Sequence, residues 1–311
     1  MVASGERGFC GCRENRSGIY YTLVYARPAE LKPEPLEHHP LFHFLPGRTF
    51  LCFGTTGCNL SCAYCISWEL SQSRPEEVET YEMSPEQVVG YALQLGCQGM
   101  AYSYVEPVTS IEFVLDTAQV AKRAGLYNVC HTAGFVKKEP LQALCQAMDA
   151  INIDFKGFTD EFYREVCGAS LGPVLHTLEQ VAATDVHLEV TALIVPGYND
   201  NAETFAGMCA WLVEHVRPDV PFFVSRFFPA YRMKDLAPTP LETLEALRKV
   251  AYEQGLQYVY LGNVPGHAGQ STYCPVCGVR LVHRVEYEVR EITLVDGCCP
   301  VCGIPIPGRW S

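Results

Sequence analysis

The chain has 311 residues and a formal net charge of −12, because 35 acidic side chains outnumber 23 basic ones. This balance argues against a protein that binds nucleic acid mainly through charge, which needs a basic surface. Hydrophobic residues make up 48% of the chain, enough to build a core. No apolar run approaches the roughly 20 residues that cross a membrane, so a membrane-spanning protein is excluded as well.

The 16 cysteines are the unusual feature of the composition. They make up about 5% of the residues, below the roughly 8–10% that is typical of a disulfide scaffold. Residues 1–7 lack the apolar segment of a secretory signal, so we expect a cytoplasmic protein whose thiols stay reduced. Reduced cysteines in this number indicate metal or redox chemistry.

Strand and helix patterns divide the chain into an irregular or β-rich lead-in segment (1–48), an alternating strand–helix region (49–262) and a part with turns and paired cysteines (263–311). Helices are predicted to start at Ser84, Thr109 and Thr239, each followed three residues later by Gln or Glu as in a capping box. The remaining predictions are strands at 49–53, 99–104, 127–132, 150–155, 186–195, 221–227 and 257–261, and helices near 139–148, 173–183 and 202–216.

This alternation predicts an α/β protein whose parallel sheet is wound by right-handed crossovers. Six β/α units and a last strand favour a partial (β/α)6 barrel, with a doubly wound sheet as the alternative. No G-x-G-x-x-G sequence follows the first strand, which argues against a dinucleotide site.

Cys58, Cys62 and Cys65 form a C-x3-C-x2-C group on the loop after the first strand. Three thiolates can hold three irons of a 4Fe-4S cluster. Such clusters usually have four cysteine ligands, so the fourth iron would be open to another ligand. The alternatives are a zinc site or a chance grouping, but zinc prefers four ligands from paired C-x2-C turns.

Polar and aromatic side chains follow successive predicted strands. In a β/α barrel the carboxyl ends of the strands carry the active site, so joint placement there indicates ligand binding. The positions concerned are Glu106, Thr132, Asp154, Lys156, Arg226 and Phe228.

The cysteine spacing, with Tyr64 directly before the last cysteine, resembles the radical S-adenosylmethionine (radical SAM) superfamily. In that family the open iron chelates the amino and carboxylate groups of SAM. An electron from the cluster cleaves SAM to methionine and a 5′-deoxyadenosyl radical, which abstracts hydrogen from a substrate. The resemblance implies an oxidoreductase of the radical SAM barrel type in which the cofactors supply the difficult chemistry and the protein positions them.

Further motifs resemble the glycyl-radical-enzyme activases, such as the pyruvate formate-lyase activating enzyme: YVEP at 104–107, HTAGFV at 131–136, DFK at 154–156 and IVPGYND at 194–200. Nearly the whole chain resembles an activase-like subfamily, the AmmeMemoRadiSam system radical SAM enzymes. The segments are CGCREN at 10–15, PLFHFLPG at 40–47, WELSQ at 68–72, AYSYVEP at 101–107, RFFPAY at 226–231, GNVPGH at 262–267 and TYCP at 272–275.

The resemblance implies that Cys58, Cys62 and Cys65 hold the cluster. It places Tyr64 beside the SAM adenine, Glu106 near the SAM ammonium group, and Thr191 and Phe228 beside ribose and adenine. Thr132, Asp154 and Lys156 are expected to line the SAM carboxylate and a nearby cation or substrate subsite. Three departures from the activases are Tyr104-Val105 in place of Gly-Gly, His131 in place of Asp, and Ile66-Ser67 in place of His-Asn.

Near the C-terminus, two C-P-x-C-G turns bring Cys274 and Cys277 together with Cys299 and Cys302. This pattern predicts one tetrahedral four-thiolate site, either structural zinc as in a zinc ribbon or iron as in rubredoxin. We favour zinc. Cys298 is either a spare thiol or an alternative ligand.

The leading hypothesis is a radical SAM enzyme that acts on a protein, peptide or small molecule with electrons from a low-potential donor. The subfamily name implies Memo-like and AMMECR-type partner proteins. An Fe-S electron carrier without substrate chemistry and an RNA-modifying radical SAM enzyme are the alternatives. The acidic charge argues against the second of these.

Overall fold

The computed structural model describes residues 2–311, so Met1, the first residue of the predicted lead-in, lies outside the described residues. An antiparallel hairpin of β1 (Arg13–Arg16) and β2 (Ile19–Thr22) comes first, and β3 (Glu30–Pro35) follows. The next seven strands are β4 (Thr49–Gly54), β5 (Gly99–Tyr102), β6 (Tyr127–Thr132), β7 (Ala150–Asp154), β8 (His187–Ile194), β9 (Phe222–Arg226) and β10 (Val259–Gly262).

The helices between these strands are α1 (Trp68–Ser71), α2 (Pro85–Gln94), α3 (Ile111–Arg123), α4 (Lys138–Ala147), α5 (Asp160–Phe162), α6 (Leu171–Ala182), α7 (Ala202–His215) and α8 (Leu241–Glu253). A π-helical turn, Tyr163–Cys167, continues α5. A three-stranded antiparallel sheet of β11 (Thr272–Tyr273), β12 (Arg280–Val285) and β13 (Glu288–Ile292) ends the chain.

Strands β4 to β10 are parallel and lie side by side in chain order, with β3 antiparallel on the outer edge of β4. A doubly wound sheet reverses its strand order at a switch point, and this order has no reversal, so that alternative was wrong. The two edges are bridged by Tyr287, whose ring lies 4.1 Å from that of His38 and whose hydroxyl is 3.3 Å from Asn263 Oδ1. The sheet therefore curls into the predicted partial barrel.

The two faces of the sheet bury different partners. On the outer face, side chains such as Leu51 and Phe53 pack against the helices. On the inner face, Cys52 and its neighbours pack against Leu36–Leu45 of the lead-in. Buried Glu189 of β8 holds the Leu36–Leu45 segment in place. Its carboxylate accepts hydrogen bonds from the backbone N–H groups of Phe42 and His43 at 2.9 and 2.7 Å.

All seven predicted strands of the alternating region are confirmed, with bounds within two residues of those expected. The capping box at Ser84 and Gln87 is confirmed as well. The capping boxes expected at Thr109 and Thr239 were wrong, because both hydroxyls make tertiary contacts. Thr109 donates to Gly57 O and Glu106 O, whereas Thr239 donates to Ile194 O and accepts from Phe227 N.

Within residues 2–311, no helix has the length and apolarity needed to cross a bilayer. The division into three domains, at 48 and 262, stays a prediction. The lead-in and the C-terminal sheet both pack directly against the barrel, since Phe42 contacts Phe223 and Tyr260 within one apolar cluster that also contains Cys274 and Leu281.

Candidate active site

The loop with Cys58, Cys62 and Cys65 connects β4 to α1 at the carboxyl end of the sheet. Backbone hydrogen bonds from Ser61 N to Cys167 O and from Ala63 N to Val166 O fix its middle against the π-helical turn. Gly57 opens the loop with φ +86°, and a Cβ there would lie 2.3 Å from Cys10 O. The close approach of the N-terminal segment therefore requires glycine at this position.

Burial and local donors set the chemistry of the three thiols. Burial raises the pKa of Cys58 to about 12, whereas a hydrogen bond from Cys167, aided by the charge of Lys156, lowers that of Cys62 to about 7. Leu60 N–H donates to Cys58 Sγ at 3.4 Å, and Ser71 Oγ lies 3.3 Å from Cys65 Sγ. Such neighbours stabilise thiolates once a metal supplies the compensating charge.

The sulfur atoms of the three cysteines are spaced more widely than the ligands of a single metal ion. Two thiolates on one zinc ion lie about 3.8 Å apart, given Zn–S bonds of about 2.3 Å. Among the described residues, Cys58, Cys62 and Cys65 do not form a group whose sulfurs all lie within 4.8 Å of one another. The wider spread fits a cluster of several irons better than the zinc alternative.

Glu106 lies on the loop that follows β5 and is buried, and this burial raises its pKa. Its carboxylate accepts the Thr132 hydroxyl at 2.7 Å and the Ala133 N–H at 2.8 Å. These contacts join the ends of β5 and β6, so the structure brings two of the predicted site residues together.

A second pair joins the end of β7 to the centre of the site. Lys156 Nζ donates to Asp154 Oδ2 at 2.7 Å, and Asp154 Oδ1 lies 2.8 Å from His131 Nε2. Although burial opposes the charge on Asp154, Lys156 and His131 hold its pKa well below the ordinary value. The Lys156 ammonium also lies 5.8 Å from the centre of the Tyr64 ring. His131, which stands where the activases have Asp, thus places an imidazole against Asp154.

Two other predicted site residues, Thr191 and Phe228, make fewer contacts with the rest of the site. Thr191 lies on β8 beside Asp154, and its buried hydroxyl has no hydrogen-bond partner among the described residues. Phe228, after β9, is 45% exposed and contacts the Arg226 guanidinium at 5.2 Å. Within this set, the Thr191 hydroxyl is thus unpaired in the part of the chain that the structure describes, and the Phe228 ring is only partly covered.

The sequence did not single out Cys167, whose sulfur lies 3.9 Å from the Tyr64 hydroxyl and close to Cys62. Nothing in the spacing marks this thiol, because it approaches the loop only through the π-helical turn. Asn199 is a further anchor, donating to Lys156 O at 2.7 Å and Leu193 O at 2.8 Å. It lies in the IVPGYND motif, which was the available signal.

The C-terminal cysteines form the predicted quartet. Cys274, Cys277, Cys299 and Cys302 have sulfurs that all lie within 4.8 Å, with the pairs Cys274–Cys302 and Cys277–Cys299 at 3.5 and 3.6 Å. These distances fit four thiolates on one tetrahedral ion. Cys298 Sγ instead contacts Asp296 O at 3.7 Å, so Cys298 is a spare thiol.

Comparison with known proteins agrees with this geometry. Residues 53–212 match the Radical SAM superfamily. An uncharacterized protein of Methanocaldococcus jannaschii is 43% identical over 305 residues, covering 97% of this chain and 91% of its own length. The chain therefore belongs to the radical SAM superfamily.

Within the superfamily, the chain is similar to pyruvate formate-lyase activating enzymes. The Escherichia coli pyruvate formate-lyase 1-activating enzyme is 26% identical over 163 residues, which are 51% of this chain and 66% of the enzyme. The structure of Streptococcus suis SuiB bound to S-adenosylmethionine superposes with a TM-score of 0.54 and 12% identity, over 73% of this chain and 53% of SuiB. That likeness shows the fold alone. The narrower AmmeMemoRadiSam assignment stays a prediction.

Proposed function

We propose that the protein is an activase-like radical SAM enzyme that reductively cleaves SAM at a 4Fe-4S cluster and abstracts hydrogen from a protein, peptide or small-molecule substrate. The observation that carries this proposal is the buried polar set at the ends of β5, β6 and β7, beside the three-cysteine loop. Cys58, Cys62 and Cys65 would hold the cluster. When bound, the two cofactors supply a 5′-deoxyadenosyl radical.

The residues of the chain would bind and orient SAM through opposite charges. The Glu106 carboxylate, already supplied with hydrogen bonds by Thr132 and Ala133, is a buried acceptor for an ammonium group. Lys156 offers a buried cation to a carboxylate and to the negative charge near Cys62. Charge-assisted hydrogen bonds are about twice as strong as neutral ones, so these two side chains would dominate recognition.

Three further side chains would complete the SAM site. The Thr191 hydroxyl is buried without a partner, as expected for a group that awaits a ribose oxygen. Tyr64 is buried beneath Lys156, and Phe228 is exposed at the end of β9. These rings would flank the adenine. Burial of the exposed Phe228 ring on binding would exclude water from the reacting atoms.

The test is the formation of 5′-deoxyadenosine by the full-length protein after anaerobic cluster reconstitution, with SAM and dithionite. We expect product from the wild type and none above background from Cys58→Ala. The matched control is Cys209→Ala, which removes a buried thiol on α7 far along the chain from the loop. Absence of product from a wild type that carries its full iron content would overturn the proposal.

Similarity to the activases supports a protein substrate and a low-potential electron donor as partners. We also propose cytoplasmic residence, and contact with Memo-like and AMMECR-type proteins. Anaerobic co-purification of tagged chain with each candidate tests these contacts. An Fe-S electron carrier would bind no SAM, so calorimetric titration with SAM separates it from the enzyme.

The structure gives little support to RNA binding by the C-terminal module. Arg284 is fully buried in an ion pair with Glu37, and Arg290 pairs with Glu288 at 2.5 Å. Two of the module's basic side chains are thereby committed to carboxylates. RNA binding that weakens steeply with salt in a filter assay would support this alternative function instead.

A further inference from the structure

A separate group of polar side chains lies on the inner face of the barrel. It consists of Glu34 on β3, His39 in the lead-in and Cys52 on β4. Cys52 Sγ lies 2.7 Å from His39 Nε2, and the same nitrogen is 3.3 Å from Glu34 Oε2. The three possible ligand atoms all lie within 4.8 Å of one another. This group takes no part in the site described above.

A hydrogen bond to the other ring nitrogen fixes the orientation of His39. Its Nδ1 pairs with Ser103 Oγ at 3.0 Å, which leaves Nε2 directed toward Cys52 and Glu34. Histidines that bind metals nearly always use the second ring nitrogen for such a hydrogen bond, because it fixes the ring and its tautomer. Cys52 and His39 are both buried, whereas Glu34 keeps 22% of its side chain exposed and offers a route from solvent.

The backbone beside this group is strained. Tyr104 adopts φ +66°, the left-handed conformation that is unfavourable for a residue with a Cβ. Its ring lies 6.1 Å from that of His39 and packs edge-on against it. Backbone strain of this kind persists only where the surrounding structure holds it, and it is frequent beside ligand sites.

We propose that Glu34, His39 and Cys52 bind one divalent transition-metal ion, with Zn²⁺ as the best fit, and leave a fourth position open toward the barrel interior. Oxygen, nitrogen and sulfur are the three donor types of zinc sites, and three protein ligands with an open position are typical of catalytic rather than structural zinc. The charges of a carboxylate and a thiolate balance those of the ion.

The distances between the three ligand atoms would change slightly when an ion binds. From Zn–S and Zn–N bonds of about 2.3 and 2.0 Å, sulfur and nitrogen ligands of one tetrahedral ion lie about 3.5 Å apart. The distance of 3.3 Å between Glu34 Oε2 and His39 Nε2 already suits two ligands of one ion. Cys52 Sγ and His39 Nε2, now 2.7 Å apart, would have to move apart when the ion binds. Burial raises the pKa of the Cys52 thiol and lowers that of the His39 imidazole. A divalent cation supplies the charge that would deprotonate the thiol.

The experiment counts zinc in the full-length protein with its cluster reconstituted and its C-terminal site filled. Each sample is equilibrated with Zn²⁺ in the presence of a chelating competitor, and zinc per chain is then measured. We expect the wild type to hold one ion more than Cys52→Ala and His39→Gln, and Cys209→Ala to match the wild type. Ser103→Ala, which removes only the partner of His39 Nδ1, should weaken zinc binding about 10- to 100-fold.

Replacement by Co²⁺ gives a second readout, because the sulfur-to-cobalt absorption of this site should disappear in Cys52→Ala while that of the C-terminal quartet persists. Persistence of the quartet's absorption also reports that the variant is folded. Equal zinc content in the wild type and Cys52→Ala would overturn the proposal, as would a wild type without the additional ion. Neither result depends on radical chemistry, so the outcome is independent of the proposed function.

Discussion

Arg284 on β12 and Glu37 in the lead-in form an ion pair at 3.4 Å in which both side chains are completely buried. Arg284 also donates to Phe42 O at 2.6 Å and Thr272 Oγ1 at 2.9 Å, and its guanidinium lies 4.1 Å from the centre of the Phe42 ring. Arg284 thus adds a buried polar link between the C-terminal sheet and the Leu36–Leu45 segment, beside the apolar cluster that also joins them.

Removing the cation should therefore destabilise the whole chain. Burial raises the pKa of Glu37 against the effect of Arg284, so Arg284→Met leaves an uncompensated buried carboxylate. We expect a loss of about 3–5 kcal/mol in the free energy of unfolding, measured by anaerobic urea denaturation. Arg290→Met, which breaks an exposed pair with Glu288, is the control and should have no resolvable effect. Equal stability of the two variants would contradict a structural role for the buried pair.

We expect the C-terminal quartet to hold one metal ion, and Cys277→Ser or Cys302→Ser to lose it without loss of core packing, since both side chains are exposed. Each variant should hold one ion fewer than the wild type and melt at a lower temperature, because metal binding contributes directly to the stability of such sites. Cys298→Ser is the matched control and should keep the ion. Elemental analysis identifies the metal, and a red colour in the cluster-free protein would indicate iron instead of zinc.

The fold was largely predictable because its signals are local. Strand periodicity, the Ser84 capping box and the cysteine spacings each involve residues close in the chain. The failures share a different cause: Thr109 and Thr239 look like helix caps, yet their hydroxyls bind backbone oxygens on distant elements. Cys167 approaches Cys62 across the barrel end, which no spacing predicts. Side chains that join distant elements are visible only once the sheet has curled.

The charge pair at the end of β7 gives a pH-dependent prediction. In the wild type the pKa of Asp154 is well below its ordinary value of about 3.9, so this group adds no pH dependence to stability between pH 5 and 8. Lys156→Met removes the main cation of Asp154 and leaves burial opposed by His131 alone. We expect burial to outweigh this one partner, so that the folded-state pKa of Asp154 rises above the unfolded value. A raised pKa means that stability is present at low pH and is lost as the pH increases.

We accordingly expect Lys156→Met to lower the free energy of unfolding by about 3 kcal/mol at pH 8, and by less at pH 5. Denaturation curves at several pH values measure the difference. Lys137→Met, at an exposed position before α4, should leave stability unchanged at every pH. A deficit in Lys156→Met that is constant across the pH range would show that lost packing, not the Asp154 charge, is responsible.

The proposed role of Glu106 predicts a binding defect in Glu106→Gln. The amide keeps the size of the side chain but removes the charge, and hydrogen bonds to charged groups are worth about 1.5–3 kcal/mol. Since about 1.4 kcal/mol corresponds to a factor of ten, SAM binding should weaken roughly 10- to 100-fold. Calorimetry on the reconstituted protein measures this, with Glu203→Gln on the exposed start of α7 as the control. Unchanged SAM affinity would remove Glu106 from the binding site.

The strain at Tyr104 can be measured by comparing two substitutions. Tyr104→Gly and Tyr104→Ala both remove the ring and its hydroxyl, but only glycine adopts φ +66° without a Cβ penalty. The glycine variant should therefore be more stable than the alanine variant by about 1 kcal/mol, the reverse of the usual preference for alanine. Urea denaturation of the pair, with the same comparison made at exposed Lys249 inside α8, separates backbone strain from general glycine effects. If alanine is the more stable residue at both positions, the left-handed conformation is not maintained in the folded protein.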